Sequence, residues 1–214
     1  MGNVIAIDGP SGSGKGTISR ILAGKLGYTY LDTGALYRAI ALKLRSCSLD
    51  ENASDQDIEN VLKTTTISFS SGRVLLDGAI LHDEIRTPEI GHYSSVFSAR
   101  HVVRDFLLEV QRRAANDNDL IAEGRDMTTV VFPHAYRKFF LTASEAERAR
   151  RRYLQLKEKG MAISPEDALR DVRERDTRDS ARDIAPLKKT DDAIEIDTTR
   201  LTIDETVDTI MDHV

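Results

Sequence analysis

The segment of residues 4–20, VIAIDGPSGSGKGTISR, constrains the fold of this chain more than any other. It begins with a short run of β-branched and small apolar residues at 4–7, which is typical of a buried parallel strand. A glycine-rich loop follows, and from Ile18 onward apolar residues recur at helical spacing. Strand, glycine loop and helix in this order predict a phosphate-binding loop, because glycines let successive N–H groups turn toward one anion.

This loop supplies the predicted nucleotide-binding residues. Its backbone would surround the phosphates of a nucleotide, and the Lys15 ammonium would lie against the outer ones. We expect contacts from Gly9, Pro10, Ser11, Gly12, Ser13, Gly14, Lys15, Gly16 and Thr17. The general motif places Ser or Thr directly after the lysine as an Mg²⁺ ligand. Here Gly16 holds that position, so Thr17 is the candidate ligand; a simple turn that binds nothing is the alternative for the whole loop.

Composition limits the class of protein. With 214 residues, 40% hydrophobic and 30% charged, the chain is long enough for one buried core with a small appendage. No apolar run approaches the roughly 20 residues that span a bilayer, and residues 1–3 leave no room for a targeting peptide before the first strand. Cys47 is the single cysteine, which fits a reducing compartment, and the net charge of −5 argues against nucleic acid. We therefore expect a cytoplasmic monomer that binds neither membrane nor nucleic acid.

Apolar strands alternate with helices along most of the chain. The five predicted core strands are residues 4–7, 28–31, 120–122, 138–141 and 193–196. This alternation predicts an α/β fold of three layers, with a five-stranded parallel sheet covered on both faces. Residues 64–81 interrupt it, because their period of two and the Asp77-Gly78 turn predict a small inserted antiparallel sheet.

The helical pattern completes the predicted organisation. After the second strand, one helix is predicted to start at the cap Asp32-Thr33-Gly34. The further principal predicted helices occupy residues 57–63, 88 to about 115, 145–159, 165 to about 181, and 203–211. We expect residues 1–214 to form one unit whose core comprises 1–62, 116–147 and 186–214. An insert would occupy about 63–115, and a helical lid would occupy about 148–185.

Charged residues stand where the predicted strands end, which is where ligands bind in parallel sheets. Glu123 is a candidate carboxylate for Mg²⁺ or its waters, although it could simply be exposed at a strand end. Arg125 and Asp126 follow and could form a structural ion pair. In the predicted lid, most charges have the spacing of surface pairs: Asp171–Arg175, Glu174–Arg178 and Arg175–Asp179. The five histidines are scattered without metal-ligand spacing.

The chain resembles the bacterial cytidylate kinase family of P-loop nucleoside monophosphate kinases, nearly from end to end. The blocks that carry the resemblance are IDGPSGSGKGT (7–17), LDTGALYR (31–38), EIRTPEI (84–90), AEGRDMTTVVFP (122–133), RRYLQLKEKG (151–160) and RERDTRDSARDIAPL (173–187). The GKGT form of the loop and the inserted sheet also resemble this family. The resemblance implies an enzyme that transfers the γ-phosphoryl group of ATP to CMP or dCMP with Mg²⁺.

The resemblance also implies roles for single residues. Lys15, Arg38, Arg125 and Arg175 would be catalytic, and Arg151 would contact the donor. The implied acceptor-binding residues are Thr33, Arg38, Ser95, Arg104, Arg125, Asp126, Asp179 and Arg182. Within this set, Ser95, Arg104 and Asp126 would recognise the cytosine edge, whereas Thr33, Asp179 and Arg182 would meet the sugar. The chain departs from the common family pattern at three positions, where the family often has Ser at Thr33, Asp at Glu123 and Gly at Thr128. The first difference concerns the contact with the sugar, and the other two concern the geometry around the metal.

Three alternatives remain for the function. A P-loop kinase for another acceptor, such as UMP, AMP or a non-nucleotide metabolite, would consume ATP without stimulation by CMP. A GTP-dependent switch would carry Asn-Lys-x-Asp and Asp-x-x-Gly motifs, and neither occurs in the chain. A nucleic-acid-binding module is the third alternative, and only the arginine-rich helices favour it. Acidic residues in the same helices balance the positive charge of the arginines, which counts against it.

Overall fold

A computed structural model describes residues 2–70, 72–116 and 118–214. The strands are β1 Val4–Asp8, β2 Thr29–Asp32, β3 Ile67–Ser70, β4 Arg73–Leu76, β5 Ala79–Ile80, β6 Leu120–Gly124, β7 Arg137–Thr142 and β8 Ile194–Asp197. The α-helices are α1 Lys15–Leu26, α2 Thr33–Ser46, α3 Asp55–Leu62, α4 Pro88–Phe97, α5 His101–Arg113, α6 Glu145–Glu158, α7 Pro165–Ala181 and α8 Ile203–Met211. A 3₁₀ turn, Asp83–Arg86, and a π-helical turn, Met127–Val131, complete the regular structure of these ranges.

The core is a parallel sheet of five strands in the order β2-β6-β1-β7-β8. One apolar cluster joins the sheet to α2, α3, α4 and α5, and a second joins its other face to α1 and α8. The predicted three-layer α/β fold is therefore confirmed. Asp8 is in register with Gly124, and Asp32 with Glu123, so the carboxyl ends of β1, β2 and β6 meet at one edge of the sheet.

The predicted antiparallel insert is also present, as the sheet β3-β4-β5. Asp77 and Gly78 both have positive φ, 49° and 83°, as the tight turn of a twisted hairpin requires. The Asp77 carboxylate accepts hydrogen bonds from Thr66 N at 2.8 Å and Lys43 Nζ at 2.6 Å. These contacts attach the small sheet to α2.

Two helix predictions differ from the structure. The helical region after Pro88 is two helices, separated at residues 98–100. Arg100 is extended there, and its guanidinium donates to Asp55 Oδ1 at 2.8 Å and to Ala53 O at 3.0 Å, far away in sequence. The short helix α3 begins at Asp55, two residues before the predicted start at residue 57, because the Ser54 hydroxyl caps it.

No helix within the three described ranges is long and apolar enough to cross a membrane.

Two glycine substitutions should change stability in opposite directions. Gly78→Ala should lower the free energy of unfolding by about 1 kcal/mol, because alanine is strained at positive φ although nothing lies within 4 Å of the added Cβ. Gly24→Ala, inside α1 and equally open, should raise it by roughly 0.5–1 kcal/mol. Urea denaturation of both variants measures the difference, and changes of the same sign would contradict this account of the turn.

Candidate active site

The loop of residues 9–14 joins β1 to α1 and has the geometry of an anion site. A Cβ at Gly9, where φ is 148°, would overlap the Leu141 carbonyl oxygen of β7. At Gly12, where φ is 79°, a Cβ would lie 2.9 Å from the Arg148 carbonyl oxygen. Gly14 precedes α1 without a side-chain cap, so the first-turn N–H groups remain available to a ligand.

The Lys15 side chain lies within this loop. It is 5% exposed, and its Nζ donates to Pro10 O at 2.7 Å and to Ser13 Oγ at 3.3 Å. Burial, and then the nearby charge of Arg125, lower the pKa of Lys15 to about 7. A polyanion bound at the loop would favour the charged ammonium.

A buried carboxylate connects the end of β1 to the segment after β6. Asp8 accepts from Met127 N at 3.0 Å, from Thr128 N at 2.7 Å and from Thr128 Oγ1 at 2.7 Å. These bonds hold the π-helical turn, which the sequence analysis did not predict, and with it the positions of Arg125 and Asp126. Three of the roughly four lone-pair sites of the Asp8 carboxylate are therefore used within the protein.

Glu123 is the carboxylate nearest to the start of α1. It accepts a hydrogen bond from the Tyr30 hydroxyl, and its Oε1 would lie 3.0 Å from a Cβ at Gly16. Burial, and then the charge of Asp32, raise the pKa of Glu123. Thr17 is exposed, and no hydrogen bond joins it to Glu123 in the described part of the chain. The structure therefore brings Glu123 against the start of α1, and the exposed Thr17 hydroxyl, one residue after Gly16, stays a candidate ligand.

This donor set fits Mg²⁺ bound together with a nucleotide. Mg²⁺ usually keeps several waters and binds through one or two carboxylates plus phosphate oxygens. Among the described residues, no group of three His, Cys, Asp or Glu side chains could hold a metal by itself. A single held carboxylate beside a phosphate loop meets the requirement of Mg²⁺, whereas a metal site built from protein ligands alone does not form here.

An open cavity lies next to the loop at the carboxyl edge of the sheet. Its lining contains every acceptor-binding residue that the resemblance implies, and Arg175 as well: Thr33, Arg38, Ser95, Arg104, Arg125, Asp126, Arg175, Asp179 and Arg182. These residues come from α2, α4, α5, the segment after β6, α7 and the residue that follows it. Five arginines against two aspartates give the lining a positive charge that suits an anionic ligand.

Two ion pairs in this cavity differ from the sequence expectations. Arg125 binds Asp179 at 2.7 Å, and Asp126 binds Arg104 in a buried pair. Within the described residues, neither the alternative Arg125–Asp126 pair nor the Arg175–Asp179 pair suggested by helical spacing is present, because Asp126 binds Arg104 and α7 directs Asp179 toward Arg125 at the end of β6.

The other two expected pairs on α7 are present. Arg175 contacts Asp171 at 3.0 Å, and Arg178 approaches Glu174 at 3.9 Å. Asp171 also binds Arg152 of α6 at 2.8 Å, so its pair with Arg175 belongs to a network between helices rather than to a solvated face.

Arg38 and Arg175 carry charge that their surroundings neutralise only in part. Burial, together with the nearby guanidinium groups of Arg152 and Arg38, lowers the pKa of Arg175 to about 10. The pKa of Arg38 is also lowered, first by burial. Within the described residues no ion pair involves Arg38. An anion placed between these arginines would relieve both effects.

The sugar-side candidates already have protein partners. The buried Thr33 hydroxyl donates to Glu123 O at 2.6 Å, which connects α2 to β6. Arg182 Nε donates to Ala185 O at 2.7 Å, while its buried Nη2 has no hydrogen-bond partner within the described ranges. Arg182 thus keeps a donor for a ligand, and Thr33 keeps its acceptor lone pairs.

Arg151 lies at the edge of the phosphate loop, as expected for a donor contact. Its Nη1 is 3.7 Å from a Cβ placed at Gly14, and its Nη2 donates to Thr198 O at 2.7 Å.

Sequence analysis missed the neighbouring Arg148, which is buried, donates to Ser11 O at 3.1 Å and binds Asp176 at 2.6 Å. No sequence signal separates it from the exposed arginines of α6, because its burial depends on the packing of α6 against the loop.

The Asp8 contacts predict a difference between two adjacent threonines. Thr128→Val removes a hydroxyl that binds a buried carboxylate and should lower the free energy of unfolding by about 1.5–3 kcal/mol. Thr129→Val is the matched control, because the buried Thr129 hydroxyl has no partner within the described ranges and its loss should cost less than about 0.5 kcal/mol. Equal losses in urea denaturation would contradict the role given to Asp8.

Known proteins resemble this chain along nearly its whole length. The profile of the family described as "Cytidylate kinase" matches residues 5–214. A cytidylate kinase from Thermodesulfovibrio yellowstonii is 50% identical over 218 residues, covering 100% of this chain and 98% of the relative. One from Thermosipho melanesiensis is 49% identical over 207 residues, covering 97% and 94%.

A solved structure extends the likeness in fold. The crystal structure of an uncharacterized protein from Eubacterium ventriosum aligns with a TM-score of 0.56 at 14% identity, covering 100% of this chain and 98% of that one. At this identity the likeness concerns the fold alone. The family match across the chain and the identity to its relatives carry the assignment: the chain belongs to the cytidylate kinase family.

Proposed function

We propose that this chain transfers the γ-phosphoryl group of ATP to CMP or dCMP, giving ADP and the nucleoside diphosphate. The observation that carries the proposal is the adjacency of two sites at one edge of the sheet. The phosphate loop with Lys15 lies beside the arginine-lined cavity, and Lys15 and Arg125 are near enough for their charges to interact. A donor and an acceptor would therefore meet between them, and family membership agrees with this pairing.

The donor would bind on the loop side. Backbone N–H groups of residues 9–14, the Lys15 ammonium and Arg151 would hold its phosphates. Glu123 would hold Mg²⁺ or its waters, with Thr17 as a further candidate; this ion, when bound, supplies positive charge to the phosphate oxygens. Tyr30 keeps the Glu123 carboxylate turned toward the loop.

The acceptor phosphate would bind among Arg38, Arg125 and Arg175. Phosphoryl transfer requires mainly positioning and charge stabilisation, so this proposal includes no general base. The lowered pKa values of Arg38 and Arg175 favour this placement, because a dianion would compensate the charges that burial destabilises. Residues 148–185, as a lid, would exclude water that could otherwise hydrolyse ATP.

The base would be recognised at the Arg104–Asp126 pair. The Asp126 carboxylate of this pair would accept from the N4 amino group of cytosine, and Arg104 would donate to N3 or O2. Ser95 would donate to N3 or O2, while Thr33, Asp179 and Arg182 would contact the sugar. Uracil reverses the polarity at two of these positions, which would cost about 1–3 kcal/mol for each buried group left unpaired.

A coupled assay of ADP release tests the proposal directly. With ATP and Mg²⁺, we expect strong turnover of CMP and dCMP and little turnover of UMP or AMP. Turnover of UMP or AMP alone would contradict the assignment of Arg104, Asp126 and Ser95. Absence of turnover with all four acceptors would contradict the proposed activity itself.

Arg125→Ala should lower kcat by roughly 10²–10³, the scale for removal of one donor to the transition state. Asp179 holds the Arg125 side chain at the cavity, where the transferring group would lie, so the loss should appear in kcat more than in the KM for ATP. Arg170→Ala, an exposed arginine on α7 that pairs with Asp167, is the control. Thermal unfolding of both variants separates catalysis from stability, and a loss below threefold would remove Arg125 from the mechanism.

Nucleotide binding should take up protons above neutral pH. In the free protein the pKa of Lys15 is about 7, so most Lys15 side chains are neutral at about pH 8. Phosphates favour the charged form and raise this pKa, so binding of ADP at about pH 8 should take up roughly one proton. Calorimetry in two buffers of different ionisation enthalpy measures the uptake. Lys15→Arg, which stays charged, should take up none, and equal uptake by both proteins would contradict the assignment.

A further inference from the structure

Helix α7 contacts the wall of the acceptor cavity through one hydrogen bond that the proposed mechanism does not use. Arg178 Nε donates to Ser95 Oγ at 3.0 Å, which joins α7 to α4. Ser95 lines the cavity, whereas Arg178 is not part of its lining. Arg178 therefore acts on the cavity through Ser95.

The backbone of α4 allows this close approach. Gly91 lies one helical turn before Ser95, and a Cβ at Gly91 would be 3.1 Å from Arg175 Nη2. Arg175 and Arg178 occupy successive turns of α7, so the two helices meet at two successive positions. The contact between Arg178 and Ser95 thus has a fixed geometry.

The hydrogen bond makes the Ser95 hydroxyl a stronger donor and a weaker acceptor, because the guanidinium occupies one of its two lone pairs and polarises the O–H group. A hydroxyl can donate one hydrogen bond and accept others. Because the guanidinium of Arg178 has no acceptor, the Ser95 oxygen must accept in this pair, and its O–H must point elsewhere. In the described part of the chain this hydroxyl has no second partner, so its hydrogen is free to donate to a molecule in the cavity.

We propose that Arg178 is a positioning residue that biases Ser95 toward hydrogen-bond donation and thereby favours cytosine over uracil. With Arg104 at O2, a Ser95 hydroxyl biased toward donation matches N3 of cytosine, which is an acceptor, and disfavours N3–H of uracil, which is a donor. The inference rests on the proposed function, in which Ser95 contacts the base. It adds that α7, which carries Arg175 and Asp179, also contributes to base selection.

Arg178→Met tests this positioning role, because it keeps the aliphatic stem and removes the donor. The KM and the calorimetric Kd for CMP should rise about tenfold, the scale of one lost charged hydrogen bond. The ratio of kcat/KM for CMP to that for UMP should fall about fivefold or more. Loss of positive charge alone weakens both nucleotides equally, since both carry the same phosphate, and so leaves this ratio unchanged. Arg170→Met, on the exposed side of α7, is the matched control and should leave KM and ratio unchanged.

A double-mutant cycle with Ser95→Ala completes the test. Ser95→Ala should itself lower the CMP to UMP ratio, and Arg178→Met should then lower it no further. If Ser95→Ala lowers the ratio but Arg178→Met does not, or if Arg178→Met lowers it equally in both backgrounds, the positioning role is overturned while the proposed function stands. If Ser95→Ala leaves CMP binding and the ratio unchanged, the proposed base contact of Ser95 fails, and this inference fails with it.

Discussion

The buried Asp8 carboxylate is the interaction on which the rest of the site depends. It lies at the end of the central strand and accepts three hydrogen bonds from Met127 and Thr128, residues that follow the neighbouring strand. Loss of any of these donors would leave the buried carboxylate with one hydrogen-bond partner fewer, which costs free energy of folding. The three hydrogen bonds therefore hold the end of β1 and the segment after β6 in one arrangement. The phosphate loop follows Asp8 and the cavity residues Arg125 and Asp126 precede Met127. One carboxylate therefore fixes the donor side relative to the acceptor side.

Charge is distributed unequally among the residues of the cavity and the phosphate loop. Arg104 and Arg125 are neutralised by Asp126 and Asp179, which orients the two arginines at the cost of part of their attraction for anions. Toward the phosphates, burial lowers the pKa of Lys15 to about 7 and that of Arg175 to about 10, which indicates positive charge without full compensation. The paired groups therefore suit recognition by hydrogen-bond geometry, and the uncompensated ones suit the binding of phosphate charge.

Local sequence patterns predicted the strands, the parallel sheet, the phosphate loop and the inserted hairpin, because each depends on periodicity or on turn residues that are neighbours in the chain. The family resemblance predicted a set of acceptor residues, and the structure brings all of them to one cavity. What could not be predicted depends on distant partners: Arg100 ends α4 by reaching Asp55, and Thr128 binds Asp8. Helical spacing suggested Arg175 as the partner of Asp179, but Arg125 is closer in the folded chain.

Helix α7 combines these features in an element that is held mainly by polar contacts. Apart from Asp179, its fully buried side chains are the small residues Ala168 and Val172, so little apolar area fixes it to the core. Its polar contacts with other elements include Asp171–Arg152 of α6 and Arg178–Ser95 of α4, and both are partly exposed. Such contacts contribute little stability one by one, so the helix can separate from the cavity more readily than an apolar helix could. Binding of a phosphate between α7 and α2 would then add charge contacts that hold the helix in this position, with Arg178 against Ser95. In this arrangement the acceptor phosphate and the base are not recognised independently, because one helix carries contacts for both.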